Sequence, residues 1–123
     1  MIRIVGVQRS ERANSEFVLL QNQGSLRINL RGHALISDSV LDSGDMWSAA
    51  FVLGIDEVIR PGQYVVVYTG HGEARSTVNK EGVSVMYVYL GRSLPVWADQ
   101  SAPIHILHTQ HSYIERPTAL VLS

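Results

Sequence analysis

The histidines of this sequence are the side chains best suited to chemistry. An imidazole titrates near neutral pH and binds divalent metals, so a histidine beside an acid can form a metal site or an acid–base pair. His71 and Glu73 are such a pair, in a Thr-Gly-His-Gly-Glu segment whose glycines give the loop conformational freedom. His105 and His108 lie three residues apart, and His111 follows at the same spacing. The candidate ligands of a metal-dependent hydrolytic site are therefore His71, Glu73, His105 and His108.

The spacing of the C-terminal histidines disfavours that site if their segment is extended. Residues three apart on a strand point to opposite faces of the sheet, and only a turn would bring His111 back toward the other two. The sequence also has no Gly-x-Ser-x-Gly elbow and no glycine-rich phosphate loop before a helix. We therefore predict that the protein is not an enzyme and has no cofactor or metal.

Arginines supply the predicted partner-binding surface. Residues 1–36 carry a local charge of +3 and residues 37–60 a local charge of -4, although the formal net charge of the whole chain is -1. Such asymmetry is typical of a solvated surface, or of contacts between copies or with a charged partner. A near-neutral chain is a poor candidate for a dedicated polyanion-binding protein, so nucleic acid is the alternative partner and not the favoured one. The partner-binding residues that we predict are Arg9, Arg12, Arg27 and Arg31.

Tyrosines offer a second possible surface. Tyr64, Tyr68, Tyr87 and Tyr89, together with two tryptophans, could form a stacking surface for sugars or bases. Their alternation with aliphatic residues instead predicts a sandwich core with some tyrosines at its rim.

Length and composition predict one domain spanning residues 1–123. The chain is 46% hydrophobic and 17% charged, which is enough apolar material for one packed core. It has no cysteine, so disulfides and thiolate sites are excluded. The N-terminus alternates like a strand and no stretch approaches the ~18 apolar residues of a membrane span. We expect no signal peptide and no membrane segment, and the compartment stays unknown.

Hydrophobic periodicity predicts an all-β fold. Two-residue alternation recurs along the chain, and no segment sustains the helical pattern. We predict an immunoglobulin-like β-sandwich of about seven to nine mostly antiparallel strands, with long loops at 38–46 and 69–82. The predicted strands are 2–7, 16–21, 26–31, 33–37, 47–53, 63–68, 83–90, 104–108 and 113–116. We also predict turns at Asn22 and at 110–111, a bend at Gly32, a packed or hydrogen-bonded strand position for His33, and a buried Trp97 that caps the core.

A series of short blocks resembles the lamin-tail domain family, in its bacterial type. The blocks are Glu-Phe-Val-Leu-Leu-Gln-Asn at 16–22, Ile-Asn-Leu-Arg-Gly-His-Ala-Leu at 28–35, the Pro61-Gly62 turn with Tyr-Val-Val-Val at 64–67, and Trp97 before Asp99 and an aliphatic strand at 104–107. His33 stands where the family usually has an aromatic residue, and Gln110-His111 where it usually has a glycine. The resemblance implies an immunoglobulin-like interaction domain, of a kind also attached to larger bacterial proteins such as secreted nucleases and surface proteins.

Together these observations predict a non-catalytic binding or structural module, either a protein–protein interaction domain or an adaptor. Its partner would be an unidentified protein or a fused domain. Sandwich sheets keep open edges, and the single lysine, Lys80, does little to protect them. We therefore also expect possible homodimers that form through sheet edges.

Overall fold

The computed structural model describes residues 1–97 and 102–109, apart from the side chain of Met46. This described part contains ten β-strands, two short α-helices and one 3-10 turn at Ala13–Ser15. The strands are β1 (Ile2–Gln8), β2 (Phe17–Asn22), β3 (Ile28–Asn29), β4 (His33–Ser37), β5 (Ala50–Leu53), β6 (Val58–Ile59), β7 (Tyr64–Tyr68), β8 (Arg75–Val78), β9 (Ser84–Tyr89) and β10 (Ile104–His108). The helices are α1 (Asp38–Ser43) and α2 (Met46–Ala49).

The described strands form three sheets. A five-stranded sheet has the order β1-β2-β7-β9-β8, a three-stranded sheet has the order β10-β4-β5, and β3 pairs with β6. Every pairing among them is antiparallel except that of β7 with β9. The predicted all-β, mostly antiparallel, sandwich-like fold is confirmed.

One core joins the sheets. Val18, Val65, Val67 and Met86 alternate along three strands of the five-stranded sheet and are buried on its inner face. The three-stranded sheet contributes residues such as Leu35, Phe51 and Leu53 to the same cluster. Trp97 is fully buried and its ring meets the Phe51 ring edge-on at 5.7 Å, so the predicted core role of this tryptophan is confirmed.

The segment at 38–46 is helical, so the predicted loop was wrong there. The side chain of Ser37 caps α1 by accepting a hydrogen bond from the Ser39 amide, and Gly44, with φ of +74°, ends the helix. Asp45 then caps α2 in the same way. Each helix is too short to show a helical period, and only Val40 of α1 is buried.

No helix of the described residues is long and apolar enough to cross a membrane.

The segment at 69–82 contains the edge strand β8, so the predicted loop was wrong there too. All four side chains of β8 are exposed, which explains why the sequence has no apolar rhythm at this position. Because β7 and β9 run parallel, the chain must cross back between them, and β8 lies on this crossover. β8 then pairs with β9 and forms the outer edge of the five-stranded sheet.

The predicted strand at 26–31 shrinks to the two-residue β3, which pairs with β6. Leu30 is buried and Ile28 packs against the core, whereas Leu26 is exposed. The turn residue Asn22 acts as predicted. Its buried amide donates to the carbonyl oxygens of Leu26 and Ile59, both at 2.9 Å, and accepts from the Gly24 amide at 3.0 Å. Gly32 takes the left-handed conformation, with φ of +92°, that its predicted bend requires. The predictions for Asp99, His111, the 110–111 turn and the 113–116 strand lie outside the described residues.

Candidate functional site

The structure does not bring the four predicted arginines together. Arg9 and Arg12 follow β1, beside the Gln8–Phe17 end of the β1–β2 hairpin, whereas Arg27 and Arg31 lie beyond its Asn22 end. Six residue steps at roughly 3.3 Å each separate the two ends by about 20 Å. The four arginines therefore do not form one patch.

The arginines also differ in their contacts. Arg9 donates from Nε to the carbonyl oxygen of Trp97 and from Nη2 to that of Ala102, both at 3.1 Å. Its guanidinium thus bridges two described residues on either side of 98–101, which is a structural role. Arg12, Arg27 and Arg31 are exposed.

The histidines are dispersed as well. On β10, Nε2 of His105 lies 2.7 Å from Oδ1 of Asp38, and the His108 ring stacks on that of His33 at 4.1 Å. His71 lies in the segment after β7, which belongs to the other large sheet, and its Nε2 lies 3.5 Å from Oγ of Ser93. Within 1–97 and 102–109, no three His, Cys, Asp or Glu side chains are placed to hold a metal ion. The four predicted metal ligands are therefore not assembled.

His33 is a buried strand residue, as predicted for this position. Its Nδ1–H donates to the carbonyl oxygen of Leu30 at 2.9 Å, and its Nε2 is buried without a hydrogen-bond partner among the described residues. Burial lowers the pKa of His33 below 6.5, and the facing His108 lowers it further.

The tyrosines are where the structure departs most from expectation. Strand pairing places Phe17, Tyr64, Tyr68, Tyr87 and Tyr89 on the outer side of the five-stranded sheet, opposite the valines and Met86 that fill the core. We call these five residues the tyrosine face. All five are partly exposed. The alternation was recognised correctly, but the tyrosines occupy its outward phase instead of the core.

The tyrosine face is organised by ring contacts. Tyr68 lies beside Tyr89, with ring centroids 5.5 Å apart and planes 12° apart, and beside Tyr87 at 6.4 Å. Phe17 meets Tyr68 edge-on at 5.4 Å, and the Arg75 guanidinium lies 4.4 Å from the centre of the Tyr87 ring. Such contacts hold large side chains in set positions at a strand surface.

The charge of this face is one-sided. Arg75 on β8 pairs with Tyr87, and Arg3 on β1 pairs with Gln21, so both arginines share the outward phase. No aspartate or glutamate occupies an outward position in any of the five strands. The surface is therefore aromatic and cationic.

A loop in close contact with Asn14 and Tyr89 lies at the end of this face. A Cβ on Gly70 would collide with Asn14, and a Cβ on Gly72 would collide with the Tyr89 ring. His71 is held between these two close approaches and lines two neighbouring cavities. One is a small cavity of about 150 Å³ shared with Asn14, Tyr68, Arg75 and Tyr89, and the other is a larger one shared with Arg12 and Arg92. The structure thus joins Arg12 and His71, which the sequence predicted for different roles.

A further exposed surface lies on the outer side of the three-stranded sheet. Trp47 is 90% exposed and borders, with Val52 and Leu107, a largely apolar groove of about 270 Å³. Nothing in the described residues shows what would cover this groove, so it carries no functional assignment.

Sequence reasoning raised the tyrosines as a possible stacking surface but favoured a core position for them, and it did not single out Phe17, Arg75 or Arg92. The one available signal was the tyrosine spacing at 64, 68, 87 and 89, since even spacing within each predicted strand places its tyrosines on one side. No protein-family model, no curated protein and no solved structure matches this chain.

Proposed function

We propose that this domain is a non-catalytic protein-binding module whose binding surface is the tyrosine face with Arg75 and Arg3. The observation that carries the proposal is the array of four tyrosines in the outward phase of two adjacent, parallel-paired strands. A lamin-tail-like domain acting as an interaction module or adaptor is consistent with this use, and that family relation is part of the proposal.

Physical chemistry favours this surface over the predicted arginine set. Tyrosine and arginine dominate interface hot spots, because a large ring buries much area with few rotatable bonds. Here the rings already contact one another, and Arg75 packs on Tyr87, so less side-chain freedom is lost on binding. The strands beneath them form a continuous ladder, which gives the rings a rigid base.

Charge complementarity identifies the chemistry of the partner. Two outward arginines without an outward carboxylate attract an acidic segment, so the partner is a protein segment with aspartate or glutamate beside apolar side chains. A single-stranded nucleic acid also stacks on aromatic rings, but the formal net charge of -1 disfavours it.

A displayed library of short random peptides tests the proposal. The wild-type domain should enrich sequences that contain acidic and apolar residues, and Tyr87→Ser or Arg75→Gln should weaken binding of the enriched peptides at least about tenfold. Arg27→Gln is the matched control, since Arg27 is exposed and lies off this face. Circular dichroism would confirm that each variant is folded.

Three results would overturn the proposal. They are the absence of any acidic enrichment, equal binding by the folded Arg75→Gln and Tyr87→Ser variants, and equal loss in Arg27→Gln. Anisotropy with a labelled oligothymidine strand at low salt provides the comparison. Tight binding that falls steeply with added salt, and that needs Tyr87, would replace the protein partner with a nucleic acid.

A further inference from the structure

A cavity of about 570 Å³ lies beside the His71 loop, where three separate parts of the chain meet. The parts are the 3-10 turn with its preceding residues, His71 itself, and residues 92–95. We call this space the His71 cavity. Its polar lining comprises Arg12, Asn14, Ser15, His71, Arg92 and Ser93, together with Glu11.

The backbone around the His71 cavity is closely packed and hydrogen bonded. Gly70 accepts a hydrogen bond at its carbonyl oxygen from the Gly91 amide at 2.9 Å, and the Thr69 carbonyl accepts from the Arg92 amide at 2.9 Å. Neither Gly70 nor Gly72 has space for a Cβ. The backbone segments that carry His71 and Arg92 are therefore joined to each other by hydrogen bonds.

The lining is rich in groups that donate hydrogen bonds to anions. Two arginines against one glutamate leave an excess of one positive charge, and the amide and hydroxyl side chains add neutral donors. Neither arginine forms an ion pair within the described residues. The Arg92 guanidinium instead lies over the Phe51 ring at 4.8 Å, which restricts its motion without neutralising its charge.

We propose that the His71 cavity binds a tetrahedral oxyanion, a phosphate or sulfate group, through Arg12, Arg92 and His71. Arginine forms paired hydrogen bonds to such oxygens, and two arginines from different segments suit a doubly charged group. The volume exceeds that of one oxyanion, so the cavity has room either for a free inorganic anion or for the charged end of a small ester. This inference needs no protein partner and does not rest on the tyrosine face.

Titrations followed by amide resonances in NMR spectra test this site with inorganic phosphate, sulfate and phenyl phosphate as probes. We expect saturable shifts at Gly70, Gly72 and Ser93 with dissociation constants of about 1 to 10 mM for the free anions. Tighter binding of phenyl phosphate would identify an ester as the ligand, and equal binding would identify the anion alone. Acetate, with one charge and a planar group, should bind at least several-fold more weakly.

Arg12→Gln should weaken binding at least about tenfold, because one charge-assisted contact is lost. Arg12 is exposed, so this variant is expected to fold, and Arg92→Gln provides a second test from another segment. Arg27→Gln is the control and should bind as the wild type does. The proposal is overturned if none of the three tetrahedral probes gives saturable shifts, or if Arg12→Gln and Arg92→Gln both bind as tightly as the control. Either failure would leave the acidic-peptide result at the tyrosine face unaffected.

Discussion

Glu16 is a buried carboxylate that ties three parts of the fold together. Its side chain is fully buried, and Oε1 accepts hydrogen bonds from the Thr69 hydroxyl at 2.7 Å, the Val96 amide at 2.8 Å and the Trp97 amide at 3.0 Å. Oε2 accepts from the Ser10 amide at 3.4 Å. Buried carboxylates are tolerated when donors surround them in this way. We therefore predict that Glu16 is a major determinant of stability.

The expected loss of stability follows from the hydrogen-bond donors that would lose their acceptor when the Glu16 side chain is truncated. Glu16→Ala leaves two buried donors, the Thr69 hydroxyl and the Trp97 amide, without an acceptor, and each buried unsatisfied donor costs about 1 to 3 kcal/mol. The partly buried Val96 amide loses its acceptor as well. The predicted loss is about 2 to 6 kcal/mol, against a total of about 5 to 15 kcal/mol for a domain of this kind. Glu16→Gln keeps an acceptor but loses the charge, so we expect a smaller loss of about 1 to 3 kcal/mol.

Urea denaturation followed by tryptophan fluorescence measures both variants. Glu11→Gln is the matched control, because Glu11 is exposed and should change stability by less than about 0.5 kcal/mol. Hydrogen exchange gives an independent readout, since the amides of Val96 and Trp97 should lose protection in Glu16→Ala. A Glu16→Ala protein as stable as the control, with both amides still protected, would refute the assigned role of this carboxylate.

Two further predictions concern pH and assembly. Because burial lowers the pKa of His33, the unfolded chain binds a proton more readily than the folded protein as pH falls below 6.5. Stability should therefore decrease from pH 6.5 downward, and His33→Gln should flatten this part of the profile in urea titrations; an unchanged profile would contradict the assignment. β8 is an edge strand that pairs only with β9 among the described strands, and an open sheet edge can pair with a second copy. We therefore expect light scattering to show dimers at high concentration that Val78→Lys disrupts. A wild-type monomer at every concentration would rule out that assembly.

Much of the fold was predictable from local pattern. Predicted strand 104–108 coincides with β10, and those at 63–68 and 83–90 differ from β7 and β9 by one residue at each altered end. A strand with one buried face alternates apolar and polar residues along the sequence, so long strands of this kind can be predicted from the sequence alone. Asn22, Gly32 and Trp97 were also assigned correctly, because each has a local or compositional reason for its position.

Tertiary structure decided what local pattern leaves open. Alternation shows that β7 and β9 have two faces, but only the arrangement of the sheets determines which face meets the core and which carries the tyrosines. The pairing of β7 with β9 spans the β8 crossover, so the approach of Tyr68 to Tyr87 and Tyr89 has no signature in neighbouring residues.

Long-range packing also explains why the predicted arginine set separates into two regions. Arg12 and Arg27 belong to one basic stretch of sequence, yet the β1–β2 hairpin places them at opposite ends. Arg12 instead lines one cavity with His71 and Arg92, which are distant in sequence and come together only when the 3-10 turn, the His71 loop and residues 92–95 pack at one end of the sheet. The sequence by itself determined the all-β class, the longer alternating strands, the turn at Asn22 and the bend at Gly32. Which residues share a surface was decided by long-range packing, because a surface joins residues by distance in space and not by order in the chain.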